Sequence, residues 1–200
     1  MPEKISFLKG NLVSFHPLEF EAIPKLASWL NTEIVTHFMF YGQKPKNLEQ
    51  ISEEIKSQIN SPQNIMFLIS ENSSDEQLGF GGLYDIHLTA RKAELRILIG
   101  EYESWGNGYG TEATELLLFY GFDRLNLNRI WLGVTDGNKR ALKTYEKCGF
   151  QVEGKLKNDI YRNSRFYDSI RMAILRKDYY PALFEKHRKK FIPDKKLIKK

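Results

Sequence analysis

The chain has 200 residues, 42% apolar and 28% charged, enough for one domain with a buried core. It holds no run of about 18 uncharged apolar residues, which excludes a transmembrane helix of the usual kind. One cysteine, Cys148, excludes an internal disulfide.

The net charge of +5 is unevenly spread: residues 186–200 carry eight Lys and Arg against Asp194 alone, a sum of +7, so residues 1–185 sum to −2. This predicts a near-neutral folded domain over 1–185 and a solvated basic tail over 186–200. Such a tail could touch anionic lipid or nucleic acid, but the body gives no reason to expect a nucleic-acid partner. Residues 1–10 alternate charged and apolar positions and hold no signal-peptide core, so a cytoplasmic setting is expected.

In chain order, residues 12–15 read as a short strand stopped by Pro17. Residues 19–30 place Phe20, Ile23, Ala27 and Leu30 at helical spacing, with Pro24 in the early turns. Residues 47–59 repeat the pattern through Leu48, Ile51, Ile55 and Ile59. Strands are predicted over 65–70 and 77–87, the second with Gly79, Gly81 and Gly82 marking a bulge or a close backbone approach. Over 93–99, Ala93, Leu95, Ile97 and Ile99 alternate with Glu94, Arg96 and Leu98, the third strand of an antiparallel run.

Residues 111–125 then read as a helix, with Ala113, Leu116, Leu117 and Tyr120 at core spacing and Glu112 and Glu115 near its positive end. A strand over 129–135, a helix over 138–148 closed by Gly149, and strands over 150–153 and 166–175 complete the chain. The expected fold is mixed α/β (α+β), a single domain with helices flanking a largely antiparallel sheet.

The chemistry centres on Trp105-Gly106-Asn107-Gly108-Tyr109-Gly110, a glycine-rich turn between a strand and a helix. The first amides of a helix lack intrahelical partners and sit at the positive end of its dipole, and glycines let backbone approach a phosphate without a Cβ between. The loop is not a Walker A motif, because no Gly-Lys-Ser/Thr follows. Nor is it the dinucleotide fingerprint, since Thr111 stands where the third glycine belongs. On the loop alone, a ligand-free tight turn is an open alternative. Asn138 and Tyr145 lie seven residues apart, which puts both on one helix face roughly 10 Å apart. Each alone has a plain reading, Asn138 as a helix cap and Tyr145 as a core aromatic.

Together these two motifs, in this order, carry a resemblance. From Glu94 to Phe150 the chain resembles the GNAT superfamily of N-acetyltransferases, and over about 12–179 its ribosomal-protein-alanine and polyamine or amino-sugar branch. The family's pyrophosphate motif, Gln/Arg-x-x-Gly-x-Gly/Ala, is matched by residues 105–110 except that Trp105 replaces the polar first residue. Its second signature is complete in Asn138, Ala141, Tyr145, Gly149 and Phe150.

The resemblance implies acetyl-CoA as cosubstrate. Leu98, Ile99 and Gly100 would pair with the pantetheine arm, and the backbone of Gly106, Asn107, Gly108, Tyr109, Gly110 and Thr111 would hold the pyrophosphate. Asn138 would bind pantetheine or fix the local backbone, and Tyr145 would act as general acid to the leaving thiolate. The glutamate that some relatives carry five residues before the asparagine is Gly133 here, so Glu94 stands in as the base, with a surface carboxylate or water-mediated proton loss as the alternatives. Tyr84, Asp85, His87 and Asp168 come from segments that line the amine pocket in similar proteins.

His16, His37, His87 and His187 show no metal-ligand spacing, so no metal is expected. Cys148 reads as a small buried residue. The expected enzyme acetylates the primary amine of a small molecule, an amino-sugar nucleotide or a polyamine, and can form a homodimer. The alternatives are an acetyltransferase of protein N-termini and a non-catalytic acyl-CoA-binding module.

Overall fold

The computed structural model describes residues 5–39 and 41–192. Strands β1 (Leu8–Lys9), β2 (Val13–Pro17), β3 (Ile65–Glu71), β4 (Gln77–His87) and β5 (Lys92–Ile99) pair antiparallel in succession. Strands β6 (Arg129–Thr135), β7 (Gln151–Arg162) and β8 (Arg165–Leu175) extend one sheet in the order β1-β2-β3-β4-β5-β6-β8-β7. The β5–β6 pair is parallel, and its register covers only Lys92↔Arg129, Ala93↔Ile130 and Glu94↔Trp131. Past Glu94 the two strands part, and the sheet splits where a ligand arm can enter.

Helices α1 (Ile23–Leu30), α2 (Glu33–Thr36) and α3 (Leu48–Asn60) cover one face of the sheet. The α3 start is fixed by a capping box: Asn47 accepts from the Gln50 amide (2.9 Å), and the Gln50 side chain accepts from the Asn47 amide (3.0 Å). Leu26, Leu30, Ile51 and Ile55 from these helices bury against Leu68, Tyr84 and Leu98. Phe20 and Leu48, counted above in the apolar stripes, are exposed because they sit at or before the helix starts. On the other face, α4 (Tyr109–Phe119) runs on through a π turn, Tyr120–Arg124, and α5 (Lys139–Lys147) lies beside it. The split faces of β5 hold as expected: Ala93 and Leu95 join the core under α4, while Leu98 joins the core under α1 and α3.

Two features depart from the sequence reading. Strand β7 runs to Arg162, nine residues past the expected end, because it is an edge strand. Lys155, Lys157 and Asp159 are exposed on it, so no apolar alternation marks its length.

The larger departure is the C-terminus. After α6 (Arg176–Tyr179), residues 185–191 form α7 (Glu185–Phe191), and this helix docks on α4. His187 and Phe191, spaced i and i+4, are buried. Lys190 reaches Glu112 (2.9 Å) and Glu115 (2.7 Å), both almost fully buried. Burial opposes ionisation of Glu115, but His187 and Lys190 outweigh it and hold the carboxyl at about 2. The boundary expected at 185 is therefore misplaced. What reads as a solvated charge run is partly the counter-charge to a buried acidic pair, and residues 193–200 lie outside the described part.

Candidate active site

The split in the sheet opens into a cleft of about 750 Å³. One wall is Trp105, Gly106 and Gly108–Thr111 of the loop and helix start, with Asn107 not in the lining; the other is α5, with Asn138, Ala141, Thr144 and Tyr145. Gly106 (φ +97°) and Gly108 (φ +89°) both adopt left-handed backbone, where side-chain-bearing residues are strained. A Cβ on Gly106 would meet nothing within 4 Å, and one on Gly108 only Leu12 at 3.4 Å. Neither glycine is thus required by close packing against protein; the left-handed backbone is what calls for them. The first intrahelical bond of α4 runs from Glu112 N to Gly108 O (3.0 Å), which leaves the amides of Tyr109, Gly110 and Thr111 without partners inside the helix. A cradle of this kind suits a pyrophosphate, and the residues present fit one.

Trp105, the departure from the expected motif, has a structural use. Its indole Nε1 donates to Ile99 O (2.8 Å), tying the loop to the end of β5. Its ring also carries the Arg140 guanidinium 3.7 Å from its centroid, which links the two walls.

That indole bond also fixes which backbone groups face the cleft. Ile99 O points across the split, so strand alternation turns Ile97 the same way and Leu98 toward β4. Gly100 N is already given to Leu78 O (2.8 Å). A Cβ on Gly100 would lie 2.2 Å from the Trp29 ring, so this glycine is required by packing. Of the expected pairing residues, Ile99 turns its backbone groups toward the split, and Leu98 and Gly100 N turn theirs to β4, while Ile97, not among those expected, faces the split as well.

Asn138 caps α5, its Oδ1 accepting from Ala141 N (3.1 Å), and it lines the cleft from there. Tyr145 lies half-buried on the same wall; burial, then the neighbouring Cys148, pushes its phenol up to about 12. Cys148 is itself buried, and burial followed by Glu115 raises its thiol to about 12, which leaves it protonated and unsuited to nucleophilic attack.

Glu94 is not brought to the cleft. It sits where β5 and β6 still pair, its carboxylate accepting from Arg96 Nη2 at 2.6 Å. Four residues of extended strand, about 13 Å, separate it from Leu98. Asp85 is exposed and pairs with Arg96 (3.4 Å), His87 Nδ1 accepts from Ala90 N (3.0 Å), and Asp168 is bound by Lys155 and by the Asn158 amide (2.8 Å). These three are occupied elsewhere.

Of the expected acceptor residues, Tyr84 lines a smaller cavity of about 140 Å³ between α3 and β4–β5. It shares Met39, Ile97 and Leu98 with the cleft. At its edge Tyr41 donates to Glu54 (2.7 Å), and Lys46 bonds Glu54 (2.5 Å) while lying 4.4 Å from the Tyr41 ring centre. Sequence reading missed Glu54, because a carboxylate on a helix surface carries no distinguishing pattern. His37, Phe38 and Met39, which follow α2, line the cleft, and Phe40 falls outside the described residues.

Comparison with known proteins agrees with this geometry. The acetyltransferase (GNAT) domain family matches residues 13–151. The chain belongs to the GNAT acetyltransferases. Within that family it is similar to a spermidine N(1)-acetyltransferase of Escherichia coli strain K12, 31% identical over 169 residues, covering 84% of this chain and 88% of the relative. A putative ribosomal N-acetyltransferase of Bacillus subtilis is 31% identical over 101 residues, covering 50% of this chain and 55% of the relative. Among solved structures, spermidine N-acetyltransferase from Vibrio cholerae in complex with CoA and spermine superposes with a TM-score of 0.76 at 27% identity, over 84% of this chain and 97% of that one. As a member of the family, the chain is an N-acetyltransferase.

For the glycine cradle, Gly108→Val is expected to weaken CoA affinity roughly tenfold or more, because the new side chain enters the space where charge-assisted phosphate contacts form. Calorimetry on the folded variant checks this. An affinity equal to wild type would remove the cradle from the binding site.

Proposed function

We propose that this acetyltransferase moves the acetyl group of acetyl-CoA to a primary amine of a small polyamine-like acceptor by direct attack. The observation that carries the reading is that the glycine cradle and the Asn138–Tyr145 face flank one cleft, at the split between β5 and β6. In this reading the amides of residues 109–111 bind the pyrophosphate, and the outward edge at Ile97 and Ile99 holds the pantetheine arm in strand-like pairing.

A backbone N–H on the outward edge of β5 stabilises the charge that grows on the acetyl oxygen during attack. The phenol of Tyr145, protonated across the physiological range, donates to the departing sulfur. Its pKa lies above that of an ordinary thiol, about 8.5. Hydrogen bonding to the developing thiolate therefore comes ahead of full proton transfer. With Glu94 remote and paired, the amine loses its proton to water in the cleft.

The acceptor side is the smaller cavity. Its two tyrosine rings and the Glu54 carboxylate already hold cations of the chain, Arg96 over Tyr84 (4.7 Å) and Lys46 over Tyr41 and on Glu54, so an acceptor ammonium would use the same contacts by displacing one of them. The similarity to spermidine acetyltransferases supports the same acceptor class. Comparing kcat/KM for spermidine, an amino-sugar nucleotide and short peptides with free N-termini tests it. Spermidine is expected to lead by tenfold or more, about 1.4 kcal/mol of differential transition-state binding. A lead of about a hundredfold for the peptides would replace this reading with N-terminal acetylation.

A further inference from the structure

Resting on the polyamine-acceptor reading, we propose that Lys46 is a built-in competitor of the acceptor: its ammonium holds the cation position at the smaller cavity, and the substrate's second ammonium must displace it. Tyr41 and Glu54 line that cavity, and both hold the same cation. Lys46 Nζ lies 2.5 Å from Glu54 Oε1 and 4.4 Å from the Tyr41 ring centre, while the Tyr41 hydroxyl donates to the other oxygen of Glu54 (2.7 Å). A carboxylate and an aromatic face that converge on one ammonium also suit one end of a diamine. A primary ammonium on a four-carbon stem, which is what lysine offers, is chemically the end of such a molecule.

Of the two cations held at this cavity, Lys46 is the one able to leave. Arg96 lies over Tyr84 (4.7 Å) but is also bonded to Glu94 (2.6 Å) and Asp85 (3.4 Å), so moving it would break two ion pairs outside the cavity. Lys46 has Glu54 as its one carboxylate partner among the described residues. Its side chain is 30% exposed and borders the solvent into which it can turn. The backbone has no need to follow. The Lys46 amide donates to Asn31 Oδ1 (3.3 Å), its carbonyl accepts from Asn31 Nδ2 (2.9 Å), and the capping box of Asn47 and Gln50 begins at the next residue.

A site that the chain itself fills part of the time binds its ligand more weakly, in proportion to the fraction of molecules in which the site is empty. Lys46 therefore sets the acceptor concentration at which the enzyme works, not its rate at saturation. It does not line the cleft assigned to acetyl transfer, so it touches no reacting atom.

Steady-state kinetics with spermidine at saturating acetyl-CoA test this on wild type, Lys46→Met and Lys44→Met. Methionine keeps most of the apolar stem and drops the ammonium. Lys44→Met removes the same charge from an exposed side chain two residues away, and so measures the general effect of local charge on a cationic substrate. Lys46→Met is expected to lower the KM for spermidine roughly three- to tenfold at unchanged kcat, the effect of releasing an ion pair and a cation–π contact. Lys44→Met should shift KM by less than about twofold. Lys46→Arg, which restores a cation, should return KM toward the wild-type value.

An equal fall in KM in Lys46→Met and Lys44→Met would overturn the proposal, since charge at large and not occupancy would then be at work. So would a KM that Lys46→Met leaves unchanged. A KM that rises would overturn it too, by making Lys46 a support of the acceptor site. A wild-type protein that acetylates peptides or amino-sugar nucleotides but not spermidine would bring down the acceptor reading itself and this proposal with it, a result distinct from all of these.

Discussion

Tyr145→Phe is expected to lower turnover tenfold to a thousandfold while leaving CoA affinity near that of wild type. The change removes one oxygen from a ring that keeps its packing against Phe150, at 5.8 Å between centroids, so the helix and the cleft wall should persist. The hydroxyl is protonated throughout the working pH range, because burial pushes its pKa up to about 12. Its contribution should therefore be uniform from mildly acidic to mildly basic pH. The variant's rate profile is expected to lie parallel to wild type and below it. Full activity in Tyr145→Phe would show that the departing sulfur needs no donor from this position. A deficit that disappears on the basic limb would mean that the phenol titrates lower than its surroundings indicate.

Ending the chain at Glu185 is expected to cost about 5 kcal/mol or more. The loss combines Phe191 burial, about 1.5–3 kcal/mol, with the breaking of a buried ion pair, about 3–5 kcal/mol. For a chain of this size that corresponds to a fall in melting temperature of roughly 10 to 20 °C. The heavier part of the loss is electrostatic. Without Lys190, the carboxylates of Glu112 and Glu115 are left in the core with no cation. Glu112 would still accept from the amides of Leu12 (2.6 Å) and Val13 (2.9 Å), but Glu115 would have neither Lys190 nor His187.

Adding Glu115→Gln to the truncated chain should therefore recover part of the stability, whereas in the full-length protein the same substitution should destabilise. Thermal unfolding of the four proteins measures both signs. A truncated chain that melts within a few degrees of full length would show that α7 is dispensable, as the charge run by itself implies.

The contrast between these two regions shows what the sequence could reveal. Residues 77–87 and 129–135 were legible as strands because their apolar patterns are bounded by turn residues, and the structure sets both at those limits. The cradle was legible because three glycines between a strand and a helix serve a backbone need that few other sequences meet. Asn138 and Tyr145 were legible from helical spacing.

What stayed hidden depends on distant neighbours. Docking of α7 needs Glu112 and Glu115, some 70 residues earlier, and its own two buried side chains, His187 and Phe191, are masked by five flanking charges. The exclusion of Glu94 depends on where β5 and β6 diverge, which spacing along one strand does not encode. The outward edge at Ile97 and Ile99 depends on the register of β5 against β4, and Trp105, which the motif alone marked only as an exception, bonds to it through Ile99 O.

Amine-dependent release of free thiol from acetyl-CoA by the wild-type protein is the most direct test of acetyl transfer at this cleft. With spermidine present, thiol should appear in step with N-acetylated amine, one for one, and should fall to background when the amine is omitted. Tight binding of acetyl-CoA without amine-dependent thiol release, across polyamines, amino-sugar nucleotides and peptides alike, would contradict it and mark the chain as an acyl-CoA-binding module.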